Sequence, residues 1–255
     1  MDGTCRTFPK QRKIVLDICR AARTVPCFPV ERTLQLIDLY RQRRESQTRI
    51  SWCAIFVKAW AQVSVEFPQL REVFIRLPWM RLYRHPNSVA SISIHREDSE
   101  CDGGELIWCR IAGAESMSLV EIQGKLDQFQ TDPMEQVFRD GIRSAKSPWL
   151  SRVLMWHVIM RWWGKRKAKK IGTFSVSTLS GENARNFFHP LIVTTSMEYG
   201  RIDPKTGECR FTLLCDHRVL DGMLAARAIR RLEEILQQQT LAELKSIRIA
   251  AVEAA

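Results

Sequence analysis

Several features are scarce in this 255-residue sequence, and their absence excludes classes of protein. The eight cysteines include no Cys-x-x-Cys pair and the five histidines are scattered, so no structural zinc site is visible. No run approaches the ~20 apolar residues that a membrane-spanning helix requires. The first twelve residues are polar and basic, without the apolar stretch of a signal peptide, which favours a cytoplasmic protein with free, buried thiols.

The chain carries an excess of positive charge. Lys and Arg total 39 against 28 Asp and Glu, which gives a formal net charge of +11. A surplus of this size favours anionic partners such as a phosphorylated cofactor, nucleic acid or anionic lipid, without choosing among them. Hydrophobic residues make up 45% of the chain, and its length allows a sizeable core.

Helical and strand periods of hydrophobicity follow one another along the chain, and they predict a mixture of elements. Helices are expected at 13–23, 33–44 with Thr33 as the cap, 51–67, 118–138 with a break near 132–133, 149–163, and 220–238. Strands are expected at 27–31, 88–96, 106–111, 173–178, 191–198 and 208–215. The segments 88–96 and 106–111 are expected to form a hairpin around the turn at 102–104. This order predicts an α/β or α+β fold with one mixed sheet.

One short segment carries the residue types of a reactive site. Residues 216–222 read Asp-His-Arg-Val-Leu-Asp-Gly and follow an apolar, β-rich run. His217 is therefore expected at a strand end and Asp221 at a helix start, where side chains leave the packed layers. An imidazole suits proton abstraction when a neighbour orients its ring. The remaining histidines are expected to be satisfied structural residues: His85, His95, His157 and His189.

This segment resembles the Asp-His-Arg-x-x-Asp-Gly motif of the catalytic domain of dihydrolipoamide acyltransferases from 2-oxo acid dehydrogenase complexes. Its wider form, His-x-x-x-Asp-Gly, is shared with chloramphenicol acetyltransferase. Residues 172–179, Gly-Thr-Phe-Ser-Val-Ser-Thr-Leu, resemble the Gly-x-Phe-Thr-Ile-Ser-Asn-Leu strand of the same enzymes. Segments at 12–28 and 50–68 resemble their N-terminal segments and their Lys-Ala helix. The resemblance runs in order from about Arg12 to Leu236.

The resemblance implies a chloramphenicol acetyltransferase-like two-layer sandwich, with a mixed sheet flanked by helices. Residues 1–255 would form a single coenzyme A-dependent acyltransferase domain. Unlike the family's complex cores, the chain is expected to be without a lipoyl or a peripheral subunit-binding domain. The family works as homotrimers with the active site in a channel between subunits, and trimers can build larger assemblies. Coenzyme A, as acyl-CoA, would be a substrate. No metal is implied, and no nucleic acid is expected, since no nucleic-acid-binding fold accompanies the basic run at 161–170.

The resemblance also implies roles for individual residues. His217 would be the general base, and Ser177 would donate a hydrogen bond to the oxyanion of the tetrahedral intermediate. Asp221, followed by Gly222, would form a buried salt bridge with Arg12 and so hold the catalytic loop. The residues that bind coenzyme A stay unassigned. Two alternatives remain: a non-catalytic trimer or cage-forming scaffold, and a dihydrolipoamide acyltransferase served by a lipoyl domain on another chain.

The predicted helix at 149–163 departs from the family. Eleven of its fifteen residues are apolar, four of them tryptophans, and the basic segment 164–170 follows. Such a helix suits peripheral contact with a membrane interface, the wall of an enlarged hydrophobic channel, or a core or subunit contact. If the helix lines an enlarged channel, the acceptor is expected to be hydrophobic or lipid-like.

Overall fold

A six-stranded mixed sheet runs through the computed structural model, which describes residues 3–5, 8–9, 12–96 and 105–253. The strands are β1 (Cys27–Gln35), β2 (Glu72–Ile75), β3 (Arg81–Arg84), β4 (Val89–Arg96), β5 (Glu105–Ala112), β6 (Phe174–Val176), β7 (Thr195–Tyr199) and β8 (Glu208–Asp216). Their order in the sheet is β1-β8-β7-β6-β4-β5, and β2 and β3 form a separate hairpin. The short strand β6 pairs in parallel with both β4 and β7, and the other pairs are antiparallel.

Helices cover both faces of this sheet, so the predicted mixed sheet flanked by helices is confirmed. They are α1 (Arg12–Ala22), α2 (Ile37–Glu45), α3 (Trp52–Glu66), α4 (Leu119–Thr131), α5 (Met134–Val137), α6 (Arg139–Lys146), α7 (Trp149–Arg161), α8 (Gly164–Ile171), α9 (Gly222–Ile235) and α10 (Leu241–Glu253). One face packs against α3 and α9 and holds the main core, in which Phe56, Trp60 and Phe211 are fully buried. The opposite face carries a smaller cluster around Ile14, Ile18 and Ala145.

Local sequence signals set several helix boundaries. The side chain of Ser51 accepts a hydrogen bond from the backbone of Ala54 and caps α3. Ser118 and Glu121 form a reciprocal capping box at the start of α4. The helices predicted at 13–23 and 51–67 and the strand at 88–96 are confirmed. The turn predicted at 102–104 lies outside the described residues.

Other boundaries were predicted wrongly, and at Thr33 the reason is that pairing across the sheet outweighs local propensity. Thr33 does not cap a helix: it pairs with Arg210 inside β1, and α2 begins only at Ile37. The strand predicted from residue 191 begins at Thr195, and the helix ending near 238 continues through a π-helical turn into α10. The β2–β3 hairpin and α8 carry no strong periodic signal and were not predicted.

The expectation of free, buried thiols is confirmed for three of the cysteines that the structure describes. The seven cysteines that the structure describes are free, and Cys109, Cys209 and Cys215 are buried. Burial raises the pKa of both Cys209 and Cys215 to about 12, so these thiols stay protonated at neutral pH. No helix within the described ranges is long and apolar enough to cross a membrane.

A buried ion pair fixes how α7 lies on the protein. Arg152 is 4% exposed and donates from Nε to Asp17 of α1 over 2.8 Å, with a second bond of 3.4 Å from Nη2. The Asp17 side chain is equally buried, and Arg20 lies 3.5 Å from it. Because its arginine points inward, α7 turns Leu150 and Leu154 toward solvent.

We expect Arg152→Leu to lower the free energy of unfolding by about 3–5 kcal/mol, because it leaves the Asp17 carboxylate buried without its main partner. Urea unfolding followed by circular dichroism measures the change. Arg139→Leu, which alters an exposed arginine of α6, is the control and should shift stability by no more than about 0.5 kcal/mol. Equal stability of the two variants would show that the buried pair does not hold α7.

Candidate functional site

His217 lies directly after the last residue of β8, as the sequence predicts. Its backbone N–H donates to the carbonyl of Pro26 over 2.9 Å, and its exposed ring lies against Phe28 with 4.6 Å between centroids. Nδ1 of the ring lies 3.1 Å from the carbonyl oxygen of Leu220. Since a carbonyl can only accept, the proton of the neutral ring is on Nδ1 and the lone pair is on Nε2. The imidazole is therefore oriented with a basic nitrogen toward solvent.

The two neighbours of His217 in sequence clamp its loop. Arg218 donates to both carboxylate oxygens of Asp216, over 2.8 Å from Nε and 2.6 Å from Nη2. A third bond of 3.0 Å joins Arg218 to the carbonyl of Thr24 at the end of α1. Burial lowers the pKa of the nearby Lys167 to about 8, while the charge of Asp216 opposes this shift. The loop is thus tied to β8, α1 and the surroundings of α8.

Asp221 and Arg12 do not form the buried salt bridge that the resemblance implies. Both residues are exposed, and no ion pair joins them within the described chain. Instead, Oδ1 of Asp221 accepts a hydrogen bond of 2.8 Å from the backbone of Leu224 and caps α9, whose first residue is Gly222. The pair between Asp216 and Arg218 holds the loop of His217 instead. In the sequence, these two charged residues look like ordinary surface residues, so the motif did not point to this pair.

Ser177 follows β6 and is half-buried. Its backbone N–H donates to Met197 over 3.1 Å, which extends the pairing of β6 with β7. Its Oγ accepts a hydrogen bond of 3.4 Å from the side-chain amide of Asn186. The hydroxyl proton of Ser177 is therefore left to donate elsewhere.

A chain of hydrogen bonds continues from Asn186 and was not predicted from the sequence. His189 joins its Nδ1 to the carbonyl of Asn186 over 3.1 Å and its Nε2 to Oγ of Ser196 over 2.6 Å. Ser175 in turn donates to Ser196 over 2.6 Å. Burial lowers the pKa of His189, which keeps the ring neutral and able to accept from Ser196. These two serines meet only because β6 pairs with β7, so no spacing in the sequence predicts their contact.

Within one chain, Ser177 and His217 lie at opposite ends of the sheet. Phe174 pairs with Thr195, which pairs with Cys215, so Ser177 lies level with Thr212, five residues before His217. At ~3.3 Å per residue this separates the two positions by about 16 Å along the strands, with two strand spacings of about 4.8 Å across them. A single chain therefore does not present both groups to one carbonyl.

A cavity of about 340 Å³ lies between α1, α6, α7 and the sheet. Its walls are mainly apolar and include Ile14, Trp156, Ile159 and Ile192. The indole N–H of Trp156 is buried and has no hydrogen-bond partner. A cavity of this size and lining is typical of sites for small, largely apolar ligands.

The polar rim of this cavity is mainly cationic. Asp140 is bridged by Lys170 over 3.1 Å and lies 3.8 Å from Arg110, and Arg143 is also on the rim. The hydrogen bond from Lys170 lowers the pKa of Asp140, so this carboxylate is ionised at neutral pH. Three cations against one carboxylate leave an excess of positive charge at the rim. No cluster of three His, Cys, Asp or Glu able to hold a metal occurs among the residues that the structure describes.

Comparison with known proteins gives results for the structure but none for the sequence. No protein-family model matches the chain, and no curated protein is significantly similar to it in sequence. A probable dihydrolipoamide acetyltransferase from Listeria monocytogenes 4b F2365 superposes with a TM-score of 0.63 at 18% identity, over 96% of this chain and 95% of its own.

Two further solved structures cover the chain almost completely. The Azotobacter vinelandii dihydrolipoamide acetyltransferase superposes with a TM-score of 0.66 at 15% identity, over 94% of this chain and 95% of its own. Chloramphenicol acetyltransferase superposes with a TM-score of 0.51 at 9% identity, over 91% of this chain and 99% of its own. This chain therefore has the fold shared by dihydrolipoamide acetyltransferases and chloramphenicol acetyltransferase.

Proposed function

We propose that the protein is an acyltransferase that moves an acyl group between coenzyme A and an acceptor, as a homotrimer whose active sites lie between subunits. The observation that carries this proposal is the geometry of His217 and Ser177, each oriented by its neighbours, at opposite ends of one sheet. Joining the His217 end of one copy to the Ser177 end of the next supplies both groups to a single carbonyl. A closed ring of such head-to-tail contacts is a cyclic oligomer.

The known work on a protein with this fold supports the choice of residues. The Azotobacter vinelandii structure concerns the role of a serine, a histidine and an asparagine in the catalytic mechanism of that enzyme, the last two separated by four residues. His217 and Asp221 have the same separation in this chain. This spacing supports the choice of His217, although an aspartate stands in this chain four residues after the histidine, where that enzyme has an asparagine.

The chemical step follows from the orientation of the two side chains. Nε2 of His217 takes the proton of an acceptor thiol, hydroxyl or amine as this nucleophile attacks the thioester carbonyl of acyl-CoA. The oxyanion that forms accepts a hydrogen bond from Ser177. Collapse of the tetrahedral intermediate breaks the carbon–sulfur bond, and the departing thiolate of coenzyme A takes back the proton from the imidazolium.

Asn186 and His189 support Ser177 as positioning residues. The side-chain amide of Asn186 donates to a lone pair of the Ser177 oxygen, so the hydroxyl proton of Ser177 points away from Asn186. His189 holds the backbone of Asn186 through its carbonyl and is itself held by Ser196. A donor fixed before the reaction stabilises the developing charge without reorganisation at the moment of transfer.

The cavity beside α7 supports a hydrophobic acceptor with an anionic group. Ser91, on its wall, pairs with Ser175, which precedes Ser177 by two residues and therefore shares its face of the sheet. Apolar walls would take the body of the acceptor, and the cationic rim would take a carboxylate or phosphate. A dihydrolipoamide arm carried on another chain is the alternative acceptor.

We expect His217→Ala to lower the rate of acyl transfer by about 10²–10⁴-fold, because no other base holds that position. The measurement is release of free coenzyme A thiol from acetyl-CoA, with a panel of alcohols, amines and dihydrolipoamide as acceptors. His157→Ala, which removes another exposed histidine, is the matched control. Unchanged turnover in His217→Ala, with an unchanged native mass, would refute the assignment.

The separation of Ser177 and His217 allows a second test. We expect Ser177→Ala and His217→Ala to be nearly inactive alone, and a co-expressed mixture to recover about a quarter of wild-type activity, because random assembly gives that share of interfaces both intact groups. Native mass spectrometry gives the composition and size of the particles and shows whether trimers assemble further. A mixture as inactive as its parents would contradict a shared site.

The non-catalytic scaffold is tested separately from the chemistry. Calorimetric titration of the native particle with coenzyme A distinguishes it from the enzyme. We expect saturable binding in His217→Ala as well as in the wild type, since that substitution removes a base and leaves the channel open. A stable particle that does not bind coenzyme A would favour the scaffold.

For the acceptor, we expect the KM of straight-chain alcohols to fall by up to about fourfold for each added methylene while the chain fits the cavity. Ile159→Trp fills the cavity, so this gain should end at shorter chains while short acceptors keep their rates. Leu154→Trp is the control, since it adds the same bulk to the solvent side of the same helix. An equal dependence on chain length in all three proteins would place the acceptor elsewhere.

A further inference from the structure

We propose that the protein docks on the surface of anionic membranes through an exposed apolar corner at the junction of α7 and α8. The corner consists of four side chains, each more than 40% exposed: Trp79, Met80, Trp162 and Trp163. This proposal concerns attachment and does not depend on the proposed acyl transfer.

The corner is one surface, although its residues come from two parts of the chain. The backbone of Leu77, in the β2–β3 loop, donates to the carbonyl of Arg161 at the end of α7 over 2.9 Å. Gly164, at the start of α8, lies so close to Tyr83 of β3 that an added Cβ would meet the tyrosine Cβ at 2.4 Å. The loop that carries Trp79 and Met80 is therefore held beside the two tryptophans that follow α7.

Two of the tryptophans each form a cation–π contact with an arginine. The guanidinium of Arg81 lies over the ring of Trp79 with 5.3 Å to the centroid, and that of Arg166 lies over Trp163 with 4.1 Å. Tryptophan prefers the headgroup level of a bilayer, where its ring is in contact with apolar and polar groups together. An arginine above the ring is placed to bind lipid phosphate at the same depth.

The charge around the corner selects an anionic surface. Arg76, Lys165 and Lys169 are exposed beside it, and neither 73–96 nor 141–181 contains Asp or Glu. Two copies meeting face to face through this corner would bring like charges together, which disfavours a symmetric contact. Phosphate-rich membrane surfaces satisfy both the apolar side chains and the cations.

The face of α7 that points outward also exposes apolar side chains. Leu150 and Leu154 are 70% and 64% exposed, because Arg152 occupies the inward side. No helix within the described ranges has the length and apolarity needed to span a bilayer. The geometry thus supports contact with the interface of a membrane.

The test is flotation of the 255-residue chain with vesicles of phosphatidylcholine, with and without about 30 mol % phosphatidylglycerol, whose charge sets the surface potential. We expect the wild type to float with the anionic vesicles at low salt and to stay in the lower fractions with the neutral ones. The double variant Trp79→Ser with Met80→Ser should lose more than about tenfold in partition. Arg76→Gln with Lys169→Gln should lose roughly fivefold for each cation removed.

Val120→Ser is the matched control, since it removes an exposed apolar side chain from α4, which is not part of the corner, and should float like the wild type. Native mass is measured for every variant. A smaller particle for Trp79→Ser with Met80→Ser would assign the corner to a contact between copies of the chain and overturn the proposal. Equal flotation of this variant and the control, or no flotation of the wild type, would overturn it as well.

Discussion

The register of three neighbouring strands determines what this protein can do alone. Because β6, β7 and β8 pair with Phe174, Thr195 and Cys215 in one row, the serine after β6 and the histidine after β8 point to opposite ends of the sheet. A slip of one residue would exchange the two faces of β6 and remove Ser177 from the surface that it shares with Ser175. The proposed chemistry therefore needs a second copy of the chain, and oligomerisation is part of the active site rather than an addition to it.

Pairs of a guanidinium and a carboxylate hold the parts that surround this sheet. Arg218 ties the loop of His217 to Asp216, and Arg152 ties α7 to Asp17 of α1. Such pairs contribute little net stability when compared with an apolar contact, but they fix orientation, because either charge left alone in the interior is costly. Each pair fixes the direction of nearby side chains. The pair of Arg218 orients the imidazole of His217 toward solvent, and the pair of Arg152 turns the leucines of α7 outward.

The parts of the fold that follow from local rules were readable in the sequence. The helix at 51–67 and the alternation in β4 were predicted, and the strand-end position of His217 is confirmed by the structure. Thr33 was assigned to the wrong element because β1 is held by nine cross-strand partners in β8, which local propensity does not contain. The assignment of His217 and Ser177 as the reacting groups stays a prediction.

The site shows the same division between local and long-range information. A motif fixes Asp221 four residues after His217, but not whether its carboxylate meets an arginine or a helix terminus. Here the carboxylate accepts a hydrogen bond from the backbone N–H of Leu224 and caps α9. His189 was expected to be a satisfied structural residue, and its two hydrogen bonds agree with that, but their position behind Asn186 depends on strand pairing.

The surroundings of helix α7 could not be predicted from its apolar composition. Its apolar residues surround the helix instead of lying on one stripe, which is typical of a helix with several different environments. Arg152 faces α1, Trp156 and Ile159 line the cavity, and Leu154 faces solvent. If the outer face rests on a membrane, one helix separates the bilayer from a cavity suited to an apolar ligand, and an acceptor dissolved in lipid would have a short path to the face of the sheet that carries Ser177.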